Sequence, residues 1–263
     1  MGNADAVKRV LSLGAGVQST TVLLMSDCGD LPRLDAAVFA DTQWEPAEVY
    51  DHLDRLTAAV TIPVIRVTRG NLRADVMRGA SGDGHFTRFP YFIDTGDGQR
   101  GMGNRDCTRD YKARPVRRAI RQMMTDTGAT AVEQWFGISL DEIQRMKTPD
   151  ARFLTYRYPL VDLRMTRHDC HNWLARHGWT APRSACVGCP YHSDHEWRRI
   201  KTNADQWADA VEVDATIRRM RHLDGAGYLH ASLRPLADVD LSTPEDHGQL
   251  NLFDQECEGM CGV

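Results

Sequence analysis

Val10-Leu11-Ser12-Leu13-Gly14-Ala15-Gly16-Val17-Gln18-Ser19-Thr20-Thr21-Val22-Leu23-Leu24-Met25 is the stretch on which the reading of this chain turns. A short apolar run ends at Ser12, glycines stand at 14 and 16, and a helix-like run opens near Val17. That is a strand, a glycine turn and a helix. Glycine permits the tight turn and lets a ligand reach the backbone, because no Cβ intervenes. The first amides of the following helix have no internal partner and face outward as an anion site. Ser12, Ser19, Thr20 and Thr21 add hydroxyls around the same point, so the spacing predicts a bound phosphate or nucleotide. No lysine follows as in a Walker loop, and Ser19 stands where the third glycine of G-x-G-x-x-G belongs, so neither common phosphate loop is present.

Strands and helices alternate outward from this loop. Leu34 to Ala40 is an apolar run of strand length ending at Asp41-Thr42. Pro46 to Ala59 reads as a helix with proline in its first turn and Val49, Leu53 and Leu56 on one face. Pro63 to Val67 is a third strand and Ala131 to Ile138 a further one. This alternation predicts a parallel α/β sheet with ligands at the carboxyl ends of the strands, so Ser12 and Asp41 share one rim.

Between these elements, residues 79–103 are rich in glycine, aspartate and aromatics and read as a long loop. Seven arginines and one lysine lie between Arg100 and Arg121 against two aspartates. This basic segment is either a solvated face or a landing site for a polyanion. A helix is expected from about Pro115 to Met124, a short one carrying Arg145, and another near Arg167 to His177. A helix bearing Glu196, Trp197, Arg198, Arg199 and Lys201 follows, then an amphipathic one over about 203–224. From Gly225 onward the chain reads as a poorly packed tail.

At 263 residues the chain can bury a substantial core, and 42% hydrophobic with 26% charged residues is ordinary for a globular protein. No run approaches the roughly 18 apolar residues of a membrane span, and the first residues lack the pattern of a secretory signal. A cytoplasmic location without membrane attachment is the expectation. A net charge of −4 argues against an all-over basic nucleic-acid binder without excluding a local patch.

The seven cysteines are odd in number and do not suggest a secreted disulfide framework. Cys186-Val187-Gly188-Cys189 with further cysteines reads as metal, cluster or redox chemistry. One alternative is zinc, on Cys186 and Cys189 with His192 and His195, although this spacing is too short for a zinc finger. Cys28 and Cys170 lie in helical patterns and read as packing residues. His168, His171 and His177 read as the surface of a helix, and Tyr91, Trp135 and Trp197 as core or rim aromatics.

The glycine loop, the strand ending in Asp41-Thr42, the block Pro159-Leu160-Val161-Asp162 and the Cys186-x-x-Cys189 pair stand in an order that resembles the PAPS reductase-like family. That family belongs to the N-type ATP pyrophosphatase (PP-loop) superfamily. The resemblance spans most of residues 7–200. It implies a Rossmann-like adenine nucleotide alpha hydrolase fold with a cysteine-bearing helical extension, divided near residue 180 into an α/β domain (1–180) and an extension with tail (181–263). The implied nucleotide contacts are Ser12, Gly14, Gly16, Gln18, Ser19, Thr20 and Asp41.

The sequence departs from each branch of that family. Cluster-bearing reductases carry an adjacent cysteine pair upstream, where only Cys107 stands here. Cluster-free reductases end in Glu-Cys-Gly, whereas this chain ends Glu256-Cys257-Glu258-Gly259-Met260-Cys261-Gly262-Val263. Three-cysteine sulfur transferases match in count, with Cys107, Cys186 and Cys189 as ligands of an iron–sulfur cluster of 4Fe–4S type. The first function implied is therefore ATP-dependent sulfur transfer, in which an oxygen of a nucleic acid (tRNA base or DNA backbone) is adenylated and replaced by sulfur. ATP, Mg2+ and the cluster are the implied cofactors. Lys112, Arg114 and Asp41 are the implied phosphoryl, metal or ribose contacts, and Cys257 or Cys261 an auxiliary thiol. A nucleic acid and a cysteine desulfurase or other sulfur donor are the implied partners, and a homodimer is compatible. The alternative is reduction of APS or PAPS to sulfite, with a tail cysteine as nucleophile.

Overall fold

The structure, a computed structural model, describes residues 7–81, 89–96, 100–219, 226–242 and 246. It opens with β1 (Val7–Leu13), α1 (Val17–Cys28), β2 (Ala36–Asp41), α2 (Ala47–Ala59), β3 (Val64–Thr68) and α3 (Leu72–Ser81). Two short strands, β4 (Phe92–Asp94) and β5 (Arg100–Met102), precede a π-helical turn at Thr108–Ala113 that runs into α4 (Arg114–Thr127). Then come β6 (Ala131–Phe136), a 3-10 turn at Leu140–Arg145, β7 (Leu154–Arg157), α5 (Pro159–Asp162) and α6 (Arg167–Arg176). The chain continues through α7 (Asp194–Lys201), α8 (Ala204–Arg218) and β8 (Ala226–Tyr228).

The fold is α/β, as expected. Five parallel strands form one sheet in the order β3-β2-β1-β6-β7. The chain builds outward from β1 to β3, then returns to the other side of β1 with β6. The order therefore reverses between β1 and β6, and such a switch point opens a crevice at the carboxyl ends of the strands. The glycine loop leaves β1 there.

Side chains alternate across each strand and feed two layers. Leu11 and Leu13 pack with Leu23 of α1, Leu53 and Leu56 of α2, and Leu174 of α6. Val10 and Val38 face Val116 and Ile120 of α4 on the opposite side. Helix ends follow local chemistry: α1 stops at Gly29 and α4 at Gly128, both in the left-handed region at φ +95° and +72°. A capping box between Thr166 and Asp169 opens α6.

A second core lies beyond the carboxyl rim. Trp44, Leu72, Val76 and Tyr111 pack there with Trp197, Val213 and Ile217. Three expectations are corrected here. Residues 79–103 are not one loop: α3 reaches Ser81, and β4 pairs with β5 and with β8. Nor is the chain after Gly225 loosely packed up to Leu241: Leu229 and Leu236 are fully buried. The carboxylate of Asp214, itself fully buried, accepts their backbone N–H groups at 2.8 and 2.9 Å. Cys170 packs in the core as expected, its thiol pushed up to about 12 by burial. Cys28 does not; it is exposed in the last turn of α1 before Gly29. Among the described residues no helix is long and apolar enough to cross a membrane.

Candidate active site

Two clefts open on the rim, and one short segment of chain lines both. The first is built on the glycine loop, with Ser12, Gly14, Gly16, Gln18 and Ser19 on its floor. The loop is held by its own groups: Ser19 Oγ takes the Gly14 N–H at 3.2 Å and donates to the Gly16 carbonyl at 3.3 Å. Ala15 between the glycines sits at φ +57°, a conformation uncommon for a residue with a side chain. Gly16 precedes α1 without any side-chain cap, and no acidic residue stands in the first turn. Uncapped amides and the positive end of the helix dipole thus face the cleft.

Gly137, which follows β6, passes directly beneath. A Cβ there would lie 2.5 Å from Ser19 N and 2.7 Å from Ser19 Cα, so only glycine lets β6 and α1 approach this closely. Three arginines complete the walls: Arg145, Arg167 and Arg183. Arg145 is held at 2.6 Å by Glu142, a carboxylate 2% exposed. Arg183 donates to the Tyr191 carbonyl at 2.6 Å. Ser184 hangs over the glycines, with its Cβ 3.2 Å from the Cβ position of Gly16. Glycine amides, an uncapped helix and three guanidinium groups are donors of the kind that bind phosphate oxygens.

The second cleft holds Cys107, Cys186 and Cys189 on one wall set, with Leu72, Phe89 and Pro90 supplying apolar surface. Cys107 stands just before the π-helical turn, a local distortion found often at functional sites. Cys186 and Cys189 are joined by a turn in which the Cys189 N–H donates to the Cys186 carbonyl at 3.0 Å. That turn is seated on Trp44: the Val187 N–H donates to the Trp44 carbonyl at 2.9 Å, and any Cβ on Gly188 would collide with the Trp44 ring. Trp44 is itself fixed by donating Nε1–H to Asp209 at 2.6 Å.

A buried charge pair backs the thiols. Glu45 Oε1 lies 3.5 Å from Cys186 Sγ, 3.0 Å from Thr42 Oγ1 and 3.4 Å from Lys112 Nζ. Burial pushes the Cys186 thiol well above its ordinary range, the Glu45 carboxylate adds to this, and the Lys112 ammonium opposes it. His192 is also buried; it faces the Cys186 carbonyl through Nε2 at 3.0 Å and is lowered to about 4 by burial.

The thiols therefore share one cavity, yet among the described residues no three Cys, His, Asp or Glu side chains converge as on a single ion. A cluster spans several atoms, so its ligands ring a cavity rather than one point. The donor set, three thiols around an apolar space with a cation behind, fits a cluster of that kind. His195, the second histidine of the zinc alternative, has its side chain 74% exposed.

The other sequence-predicted residues fall as follows. Thr20 is fully buried against His52 and lies outside the cleft, and Gln18 reaches Ser139 Oγ at 3.5 Å. Lys112 lines the cysteine cavity, not the glycine-loop cleft. Arg114 lies on the surface 2.7 Å from Asp110. Asp41 lines neither cleft; its carboxylate accepts from the Gln43 N–H at 2.7 Å and the Tyr50 hydroxyl at 2.8 Å. Much of the basic segment is engaged within the fold: Arg109 and Arg114 meet Asp110, Arg117 meets Asp150, and Arg105 covers the Tyr191 ring. Cys257 and Cys261 lie outside the described residues. Gly137, Arg183, Ser184 and Glu45 were not singled out from the sequence, since their roles arise from approach across the fold.

No protein-family profile matches the sequence, and comparison with curated proteins gives no match. Among solved structures the chain is similar to the phosphoadenylyl-sulfate (PAPS) reductase from Candida auris in its phosphate complex, at 12% identity and a TM-score of 0.42, over 67% of this chain and 74% of that one.

Proposed function

We propose that the two clefts are halves of one active site for ATP-dependent sulfur transfer to a nucleic acid. The observation that carries this is the run Arg183-Ser184-Ala185-Cys186-Val187-Gly188-Cys189: its first two residues line the anion cleft and its two cysteines line the thiol cavity. A nucleotide phosphate bound on the glycine loop and a sulfur bound at Cys186 would thereby stand on neighbouring parts of one rim.

The chemistry follows from this placement. A substrate oxygen attacks the α-phosphorus of ATP, the bond to the β-phosphate oxygen breaks, and pyrophosphate leaves. The α1 amides and Arg145, Arg167 and Arg183 stabilise charge on the transferring phosphoryl and on the leaving group. A hydrosulfide ion, supplied by an external sulfide donor and taken up in the thiol cavity, then attacks the substrate atom that bears the adenylated oxygen and gives up its proton. That bond to oxygen breaks, AMP leaves with the oxygen, and the substrate keeps the sulfur. Activation is needed because oxide is a poor leaving group and AMP a good one.

Cys107, Cys186 and Cys189 would hold an iron–sulfur cluster, which would supply a coordination position for the sulfur. Lys112, kept beside Cys186 by Glu45, supplies positive charge at the same wall. The test is an anaerobic preparation assayed for iron and for ATP binding. Iron lost on replacing any one of the three cysteines, with ATP raising the melting temperature, supports the reading. Strong stabilisation by APS or PAPS and none by ATP would replace it with sulfonucleotide reduction.

A further inference from the structure

We infer that Gln134 fixes the direction of one hydroxyl in the glycine-loop cleft, and that Ser12 is thereby the loop's hydroxyl donor to the phosphates. The inference rests on the nucleotide reading above. A hydroxyl has one proton to give, so where each spends it decides which can serve a ligand. Ser19 spends its proton on the Gly16 carbonyl. Thr21 gives its own to the Val17 carbonyl at 2.9 Å. Thr20 is engaged with His52 at 2.9 Å, fully buried and outside the cleft.

Ser12 differs. Its Oγ accepts the Gln134 side-chain N–H at 2.8 Å, and the residue is half-buried and lines the cleft. Having accepted from the amide, Ser12 keeps its own proton, and the open side of the group is the cleft beside the uncapped amides of α1. Gln134 comes from β6, is 7% exposed, and is held in register opposite Val10 of β1. A buried amide on the neighbouring strand cannot exchange its partner for bulk water. The sheet therefore sets the hydroxyl before any ligand arrives, and Gln134 is a positioning residue that acts through Ser12.

The test is a double-mutant cycle read by ATP titration calorimetry on the full chain. Gln134→Glu keeps the shape and replaces the amide donor by an acceptor, so Ser12 turns its proton away from the phosphates. Affinity for ATP should fall about tenfold or more in Gln134→Glu and in Ser12→Ala, the loss of a hydrogen bond to a charged acceptor. In the Ser12→Ala background, the charge-neutral Gln134→Met should cost nothing further. Gln134→Met removes the donor without adding charge and therefore carries the cycle, whereas the carboxylate of Gln134→Glu also repels the phosphates in either background. An unchanged affinity in the single Gln134 variants, or an equal loss in both backgrounds, overturns the inference while the nucleotide reading stands. Wild-type protein that binds no ATP overturns that reading, and the inference with it.

Discussion

Replacing Gly137 by alanine adds one carbon where β6 passes beneath the glycine loop. That carbon would lie 2.5 Å from Ser19 N, 2.7 Å from Ser19 Cα and 2.9 Å from the Gln18 carbonyl carbon. Comfortable contact between carbons is about 3.5–4.0 Å, so the deficit approaches 1 Å. All three atoms are backbone of the first turn of α1, and no rotamer change relieves them. The start of the helix must shift away from β6, taking the ligand-facing amides with it. Overpacking of this kind costs about 1–3 kcal/mol. At roughly 2–4 °C per kcal/mol for a chain of this size, the melting temperature should drop by about 2–12 °C. Gly14→Ala is the internal control, because its Cβ would meet only the Ser184 and Ser19 side chains, at 3.4 and 3.7 Å. Thermal melts should show Gly137→Ala destabilised and its ATP-induced shift reduced, with Gly14→Ala much nearer wild type in the absence of ATP. If Gly137→Ala melts and responds to ATP as the wild type does, β6 and α1 do not meet as described and the cleft floor is misdrawn.

Gly188→Ala should displace the cysteine turn from Trp44, speeding alkylation of Cys186 by iodoacetamide; an unchanged rate would mean the Trp44 seat does not hold the turn. Asp214→Ala removes the buried carboxylate that ties Arg218 and two backbone amides together, at a cost of about 3 kcal/mol in urea unfolding. A loss under about 1 kcal/mol would contradict the packed state of residues 226–241. His52 gives a pH test. Burial lowers it from 6.5 to about 4, so between those values the unfolded chain binds a proton that the folded chain does not. Stability therefore falls as pH drops from 6.5 toward 4 and levels below it, by up to about 3 kcal/mol from this group. His52→Gln should flatten that part of the stability curve, and an unaltered slope would refute the assignment.

The parallel sheet was legible because its inner strands are continuous apolar runs separated by amphipathic helices. Leu11, Val38 and Val132 are buried from both faces of the sheet and announce themselves by composition. Strands of three residues announce nothing: β4, β5 and β8 are too short to show a period, and β4 finds β8 far along the chain. The hydrogen bonds that Asp214 makes to Leu229 and Leu236 likewise belong to tertiary structure, which is why the last stretch read as loose. At the site, the loop glycines and the Cys-x-x-Cys pair could be named from spacing alone. Gly137, Ser184 and Glu45 could not, because each matters through what another element brings against it. The hydroxyls were counted alike in the sequence, whereas the hydrogen bonds separate Ser12 from Ser19, Thr20 and Thr21.

If phosphate activation and sulfur delivery meet on one rim, the modified nucleic acid itself records it. Anaerobic protein would be incubated with ATP, Mg2+, sulfide and a DNA or tRNA substrate, and the nucleic acid digested for mass spectrometry. The digest should contain nucleosides or linkages in which one oxygen is replaced by sulfur, with AMP and pyrophosphate released in equal amount. Replacing Cys186 should abolish sulfur incorporation. Sulfite formed from APS or PAPS, with no sulfur entering nucleic acid and no pyrophosphate released from ATP, would contradict it.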